Sequence, residues 1–479
     1  MRRTIGALVV LSALVDVVGV AQDRSTTAPG VPTFRVDPSW PKIPNNWQFG
    51  QVASVSIDEQ DHVWVLQRPG TLSPEEKGRA APPLLEFDAA GSFIQAWGGP
   101  GQGYEWPNSE HGVYVDPKGF VWIGGNGEKD NQILKFTKAG KFVMQIGRAG
   151  QSKGNADTQN LNQPADTFVH APTNELFVAD GYGNRRVIVF DADTGRFKRM
   201  WGAFGNVPSD AAPNPAPPDA DERGASQFVQ PVHAARVSKD GFVYVSDRGG
   251  KRVQVFTLEG KYVSQVFIGR ECKAPDCGNG TTAASTAFST DAQQRFLYVG
   301  NRSQAKVMVF ERRTLQLLDS FGRWGSAPGE FGTLHHMGAD SKGNLYVTEV
   351  TPLKPENRRI QKFTLMPALG AAGHRFHRGR GRPVLSWSGS THPPFLQRAS
   401  ERGTSEDAAA WRDALSQEVR PSLWRQALPA VDEFPQVALT FASECVESGA
   451  PTGLPVFHEP PLECRAPPSR AAAWLPACW

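Results

Sequence analysis

A chain of 479 residues is long enough for two or three ordinary domains, or for one repeat array that buries its core between neighbouring units. Its 48 glycines, 27 phenylalanines and 13 tryptophans favour the array, because the aromatic positions recur with glycine turns. A formal net charge of +3, with no clustered basic face in the repeats, is too small for an electrostatic footprint on nucleic acid or anionic lipid.

At the N-terminus, Arg2 and Arg3 precede a mostly apolar run over residues 5–20, and Gly19-Val20-Ala21 offers small residues for cleavage. This pattern predicts a signal peptide over 1–21, a linker over 22–33, and a secreted or periplasmic protein. An apolar run of about sixteen residues is short for a membrane span, so no membrane attachment is expected after cleavage.

From 34 to 365 the chain repeats one unit six times: an apolar strand, a turn, a strand centred on an aromatic, a polar turn, and a strand ending in Phe. The second-strand aromatics are Trp64, Trp122, Phe177, Tyr244, Tyr298 and Tyr346, and the third strands end at Phe87, Phe136, Phe190, Phe256, Phe310 and Phe363. Fourth strands follow Gly91, Gly140, Gly195 and Gly260. The expected fold is all-β, a six-bladed β-propeller of four-stranded blades. The sixth repeat lacks a fourth strand, and Phe34-Arg35-Val36 is placed to supply it, closing the ring and removing two sheet edges. Arg252-Val253-Gln254-Val255-Phe256, Arg359-Ile360-Gln361-Lys362-Phe363 and Asn184-Arg185-Arg186-Val187 resemble the NHL-repeat family, which has this fold.

Cys272 and Cys277, with four residues between them in a Gly-rich loop, can close a small disulfide in an oxidising compartment or stand as free thiols. From 366 to 479 the repeat stops, and the 114 residues contain no Lys, Ile, Asn or Tyr. All four have AT-rich codons, so this stretch reads either as a low-complexity, poorly ordered tail or as a GC-rich segment translated out of frame.

The first strand of each blade lines the channel of a propeller, so residues at one register of that strand point to a common axis. Counting eleven back from each second-strand aromatic selects Ala53, His111, Asp166, His233, Ala287 and His335. With 10 histidines in the chain, three in six such positions is roughly a one-in-several-thousand coincidence. Histidines on alternate blades suit one Zn²⁺ held by three imidazoles with a fourth position open. His336 and His170 fall out of register and read as ordinary hydrogen-bonded residues. Residues just after the second strands, Arg68, Asn126, Tyr182, Arg248, Arg302 and Glu349, should gather at one channel mouth. Arginines there would favour a small or peptide-derived anionic substrate, unless they merely pair with acids such as Asp247 and Glu349.

Glu110-His111-Gly112, Asn162-Gln163-Pro164-Ala165-Asp166, Asp180-Gly181-Tyr182-Gly183-Asn184-Arg185, Val232-His233-Ala234 and Asp247-Arg248 resemble the corresponding blades of peptidyl-α-hydroxyglycine α-amidating lyases. The resemblance implies zinc on His111, His233 and His335, Tyr182 as the base, and Arg68 and Arg248 as substrate-binding cations. It implies cleavage of an α-hydroxyglycine C–N bond to an amide and glyoxylate. The family's third histidine is preceded by Met-Pro and followed by an Asp that helps hold a structural calcium. Thr333-Leu334-His335-His336 stands here instead and argues against Ca²⁺. Arg68 follows Gln67 where the family has His, so that residue is carried over by position. The competing reading is a non-catalytic propeller that binds a protein, peptide or glycan on one face, and on either reading a monomer is expected.

Overall fold

The computed structural model describes residues 30–210, 223–274, 277–350 and 357–367. The expected signal segment, most of the linker, and the tail from residue 368 onward lie outside these described residues.

The described residues form six antiparallel four-stranded sheets, one for each repeat. Their first strands are Gln51–Ile57, Glu110–Val115, Pro164–His170, Val232–Val237, Ala283–Phe288 and Leu334–Ala339. Each packs against the first strand of the next blade, and the last against the first, which closes the ring. The sixth sheet takes its outer strand from the N-terminal side, as the sequence leads one to expect. Phe34–Asp37 pairs with Ile360–Leu365, with Phe34 opposite Leu365.

The fifth blade also carries a fourth strand, Leu317–Phe321, which the glycine pattern did not mark. The turns into the other fourth strands use Gly91, Gly140, Gly195 and Gly260 at positive φ, whereas here Leu315 adopts φ 58°. A left-handed leucine is uncommon, so the turn carries no sequence signal.

Buried side chains fill the wedges between neighbouring blades. Trp64, Val113 and Phe136 lie between the first and second, Phe177, Trp201, Val232 and Phe256 between the third and fourth, and Tyr298, Leu334 and Phe363 between the fifth and sixth. The recurring aromatics are therefore the inter-blade core.

The arginines that open three of the third strands also have a structural role. Arg186 Nε meets Asp180 at 2.8 Å, Arg252 Nε meets Asp247 at 2.8 Å, and Arg359 Nε meets Glu349 at 2.7 Å. Each guanidinium also donates to carbonyls of the loop entering its blade, for example Asn155 and Asp157, Ala225 and Gln227, or Ser326 and Glu330. Cys272 and Cys277 form a disulfide with a Cα–Cα distance of 5.4 Å.

Candidate metal centre on the propeller axis

Each first strand carries a bulge near its start. The pairing skips Ala53, His111, Ala165, His233 and Ala284 in blades one to five, and His335 with His336 in blade six. A bulged residue is released from the ladder and can be aimed away from the sheet. Here the bulges alternate alanine and histidine round the ring, so imidazoles reach the axis from alternate blades.

This arrangement corrects the register expected from sequence in two blades. Ala165, not Asp166, and Ala284, not Ala287, are the counterparts of the histidines. The stretch from the bulge to the second-strand aromatic is longer in both. Ala171–Thr173 forms a short 3₁₀ turn in blade three, and residues 289–295 separate the two strands in blade five. Counting eleven back from the second strand therefore falls short, by one residue in blade three and by three in blade five.

His111, His233 and His335 are buried, at 0, 0 and 2% exposure. Each Nδ1–H donates to the carbonyl of the alanine bulge one blade on: His111 to Ala165 at 2.7 Å, His233 to Ala284 at 2.5 Å, and His335 to Ala53 at 2.6 Å. That bond fixes the tautomer and leaves every Nε2 with a free lone pair. The three Nε2 atoms converge, His233 Nε2 lying 3.2 Å from His335 Nε2. Burial first, and then the neighbouring arginines and histidines, push all three imidazoles well below the ordinary histidine range. They are held neutral, the form that binds a cation. Tetrahedral Zn–N bonds of about 2.0–2.1 Å need ligand nitrogens roughly 3.3 Å apart, which the His233–His335 separation of 3.2 Å matches.

Tyr182 stands over the cluster, its hydroxyl 2.9 Å from His111 Nε2 and 3.2 Å from His233 Nε2. It follows Gly181, where a Cβ would lie 2.0 Å from the Val232 carbonyl oxygen. Only glycine allows the chain to run this close to the next blade and carry Tyr182 inward.

Arg248 Nη1 donates to the Tyr182 hydroxyl at 3.0 Å, and its buried Nε has no partner. Arg302 likewise has a buried, unpartnered Nε, and burial together with Arg248 draws its guanidinium down to about 10. Arg68 bonds the Glu110 carbonyl at 2.5 Å, Gln51 at 2.9 Å and Asn126 at 3.0 Å. Among the described residues none of these three arginines pairs with a carboxylate. Asp247 and Glu349, the acids that sequence offered as partners, are taken by Arg252 and Arg359.

Glu349 does not join the mouth. It lies opposite Leu334, one position short of the mouth register, where it is fully buried and bonded to Gly332, Asn357 and Gln361. His170 is also remote from the cluster and bonds Thr173. Two groups at the centre escaped the site reading of the sequence: Arg302, named only as a mouth residue, and His336. A cavity of about 420 Å³ opens at the other end of the channel, lined by Tyr114, Phe168, Arg236 and Met337 among others, and none of the site residues reaches it.

No family model matches the chain. It is similar to mouse NHL repeat-containing protein 3, at 28% identity over 47% of this chain and 57% of that protein. It is similar to peptidyl-glycine alpha-amidating monooxygenase A of Xenopus laevis, at 26% identity over 68% of this chain and 34% of that protein. A probable peptidyl-alpha-hydroxyglycine alpha-amidating lyase of Caenorhabditis elegans matches at 31% identity over 44% of this chain and 56% of its own length. The chain thus spans between about a third and somewhat over half of these relatives. The resemblance to NHL-repeat proteins and to amidating lyases read from the motifs is shared by these distant relatives.

Proposed function

We propose that this chain is an exported, zinc-dependent lyase that cleaves the C–N bond of a peptidyl-α-hydroxyglycine-like substrate, giving an amide and glyoxylate. The observation that carries the reading is three neutral Nε2 atoms meeting beside a tyrosine hydroxyl, under arginines that pair with no carboxylate among the described residues. The names printed for the amidating relatives support it.

His111, His233 and His335 would hold a zinc ion, which would supply Lewis acidity toward the substrate hydroxyl. Arg248 and Arg302 hold the substrate carboxylate, which suits guanidinium groups freed from internal pairing. Arg68, tied to Asn126 and Gln51, shapes the near wall of the mouth and adds positive charge. Tyr182, its hydroxyl 2.9 Å from His111 Nε2 and 3.2 Å from His233 Nε2, takes the proton of the reacting hydroxyl. As the C–N electrons leave with nitrogen, that nitrogen is protonated. The net change moves one hydrogen from oxygen to nitrogen, while the carbinol carbon becomes the aldehyde of glyoxylate.

Two measurements test this. Purified protein is expected to hold near-stoichiometric zinc, lost in His233→Ala, and to release glyoxylate from α-hydroxyhippurate. A metal-free protein as stable as His233→Ala would leave the binding-module reading in its place.

A further inference from the structure

His336 is fully buried, and the chemistry above makes no use of it. In a regular strand, adjacent side chains point to opposite faces, so a residue next to His335 should turn away from the channel. The bulge of blade six prevents this. Its gap in pairing runs from Leu334 to Met337 and takes in both histidines. The Thr348 hydroxyl fills the missing ladder position, accepting the His336 N–H at 3.0 Å and donating to its carbonyl at 3.2 Å.

The two nitrogens of His336 are in different surroundings. Nδ1 lies 3.1 Å from Ser54 Oγ and 3.9 Å from the Asp166 carboxylate. Nε2 is buried and meets no hydrogen-bond partner. Ser54 Oγ accepts the Val113 N–H at 3.2 Å and has a second lone pair for a proton on His336 Nδ1. With the proton on Nδ1, on the side of that carboxylate, Nε2 is the bare nitrogen. Leaving a buried polar atom without a partner is unfavourable. Some group belongs against it.

The ring geometry identifies that group. Ligand atoms of His111, His233, His335 and His336 all lie within 4.8 Å of one another. The first three rings have centroids 4.9, 4.7 and 4.7 Å apart, and His336 lies 5.4, 5.0 and 4.8 Å from them in turn. Four points with six nearly equal separations are the corners of a tetrahedron. Four imidazoles bonded at about 2.0–2.1 Å to one ion place their centroids roughly 5 Å apart.

We propose that His336 Nε2 is a fourth ligand to the ion held by His111, His233 and His335. The resting ion then has four nitrogen ligands, and the substrate hydroxyl would join as a fifth from the mouth side. Tyr182, which spans His111 and His233, occupies the mouth side, so substrate approaches from that face, while His336 lies further along its strand and holds the ion from behind. This rests on the metal site of the proposed function, and the experiment separates the two.

The full chain is loaded with Zn²⁺ and its zinc K-edge X-ray absorption fine structure is recorded, with His336→Ala and His336→Asn as comparisons. Wild type is expected to show four imidazole shells and no first-shell oxygen. The variants are expected to show three imidazoles and one oxygen, with zinc retention against a chelator falling by at least about tenfold. Three imidazoles and an oxygen in wild type would overturn the fourth ligand and leave the lyase reading intact. A chain that takes up no zinc overturns both. Wild type alone decides the point, so an unfolded variant does not blunt the test.

Discussion

Tyr182 makes three polar contacts through one oxygen, to His111, His233 and Arg248. Removing that oxygen separates a proton-transfer role from a structural one. Tyr182→Phe keeps the ring and the backbone path set by Gly181. It is expected to leave zinc content unchanged while lowering kcat by roughly 10²–10⁴-fold, measured as glyoxylate release beside metal analysis. Equal activity in the variant removes Tyr182 as the base. The three axial histidines were legible because the same residue recurring at equivalent places in alternate repeats stands out without any knowledge of side-chain direction. His336 was not, since the period-two rule turns it away from His335, and only the local bulge overrides that rule. Arg302 was visible as a mouth residue, but whether a guanidinium is free or paired depends on which acids lie within reach, and sequence offered Asp247 and Glu349 as partners they do not serve.

At the scale of the element, those acids close the blades. Asp247 and Arg252 are both fully buried and bonded at 2.8 Å, and Arg252 also holds the loop carbonyls of Ala225 and Gln227. Arg252→Ala strands a charge in the interior and leaves carbonyls without donors. It is expected to cost about 3–5 kcal/mol, read as a fall in the denaturation midpoint. Asp247→Asn in the same chain should recover part of the loss, since the residual charge is then gone. No recovery would mean that packing, and not charge, is what Arg252 supplies. The NHL-like Arg motifs thus pointed correctly to repeat architecture. Strand existence and order followed from aromatic spacing, yet the register slipped by one and by three residues in the blades with irregular turns, because a count through a turn assumes its length.

The whole ring is closed by four residues. Phe34–Asp37 covers the edge of Ile360–Leu365, and Phe34 packs on Tyr298 and Phe321 at the seam between blades five and six. An uncovered strand edge invites pairing with another chain. Deleting residues 34–37 is expected to lower the thermal midpoint and to produce concentration-dependent oligomers in size-exclusion chromatography; a deleted protein that stays monomeric and equally stable would show that closure contributes little. By itself the sequence determined the repeat, the blade count, the closing strand and the three histidines, since all of these are periodic and periodicity survives in one dimension. Only the tertiary structure decided that alternating bulges aim those histidines at one point, that Arg248 and Arg302 stay clear of acids, and that a fourth imidazole completes a tetrahedron. Each of these depends on which blade lies beside which, and distances between strands of different blades are not written along the chain.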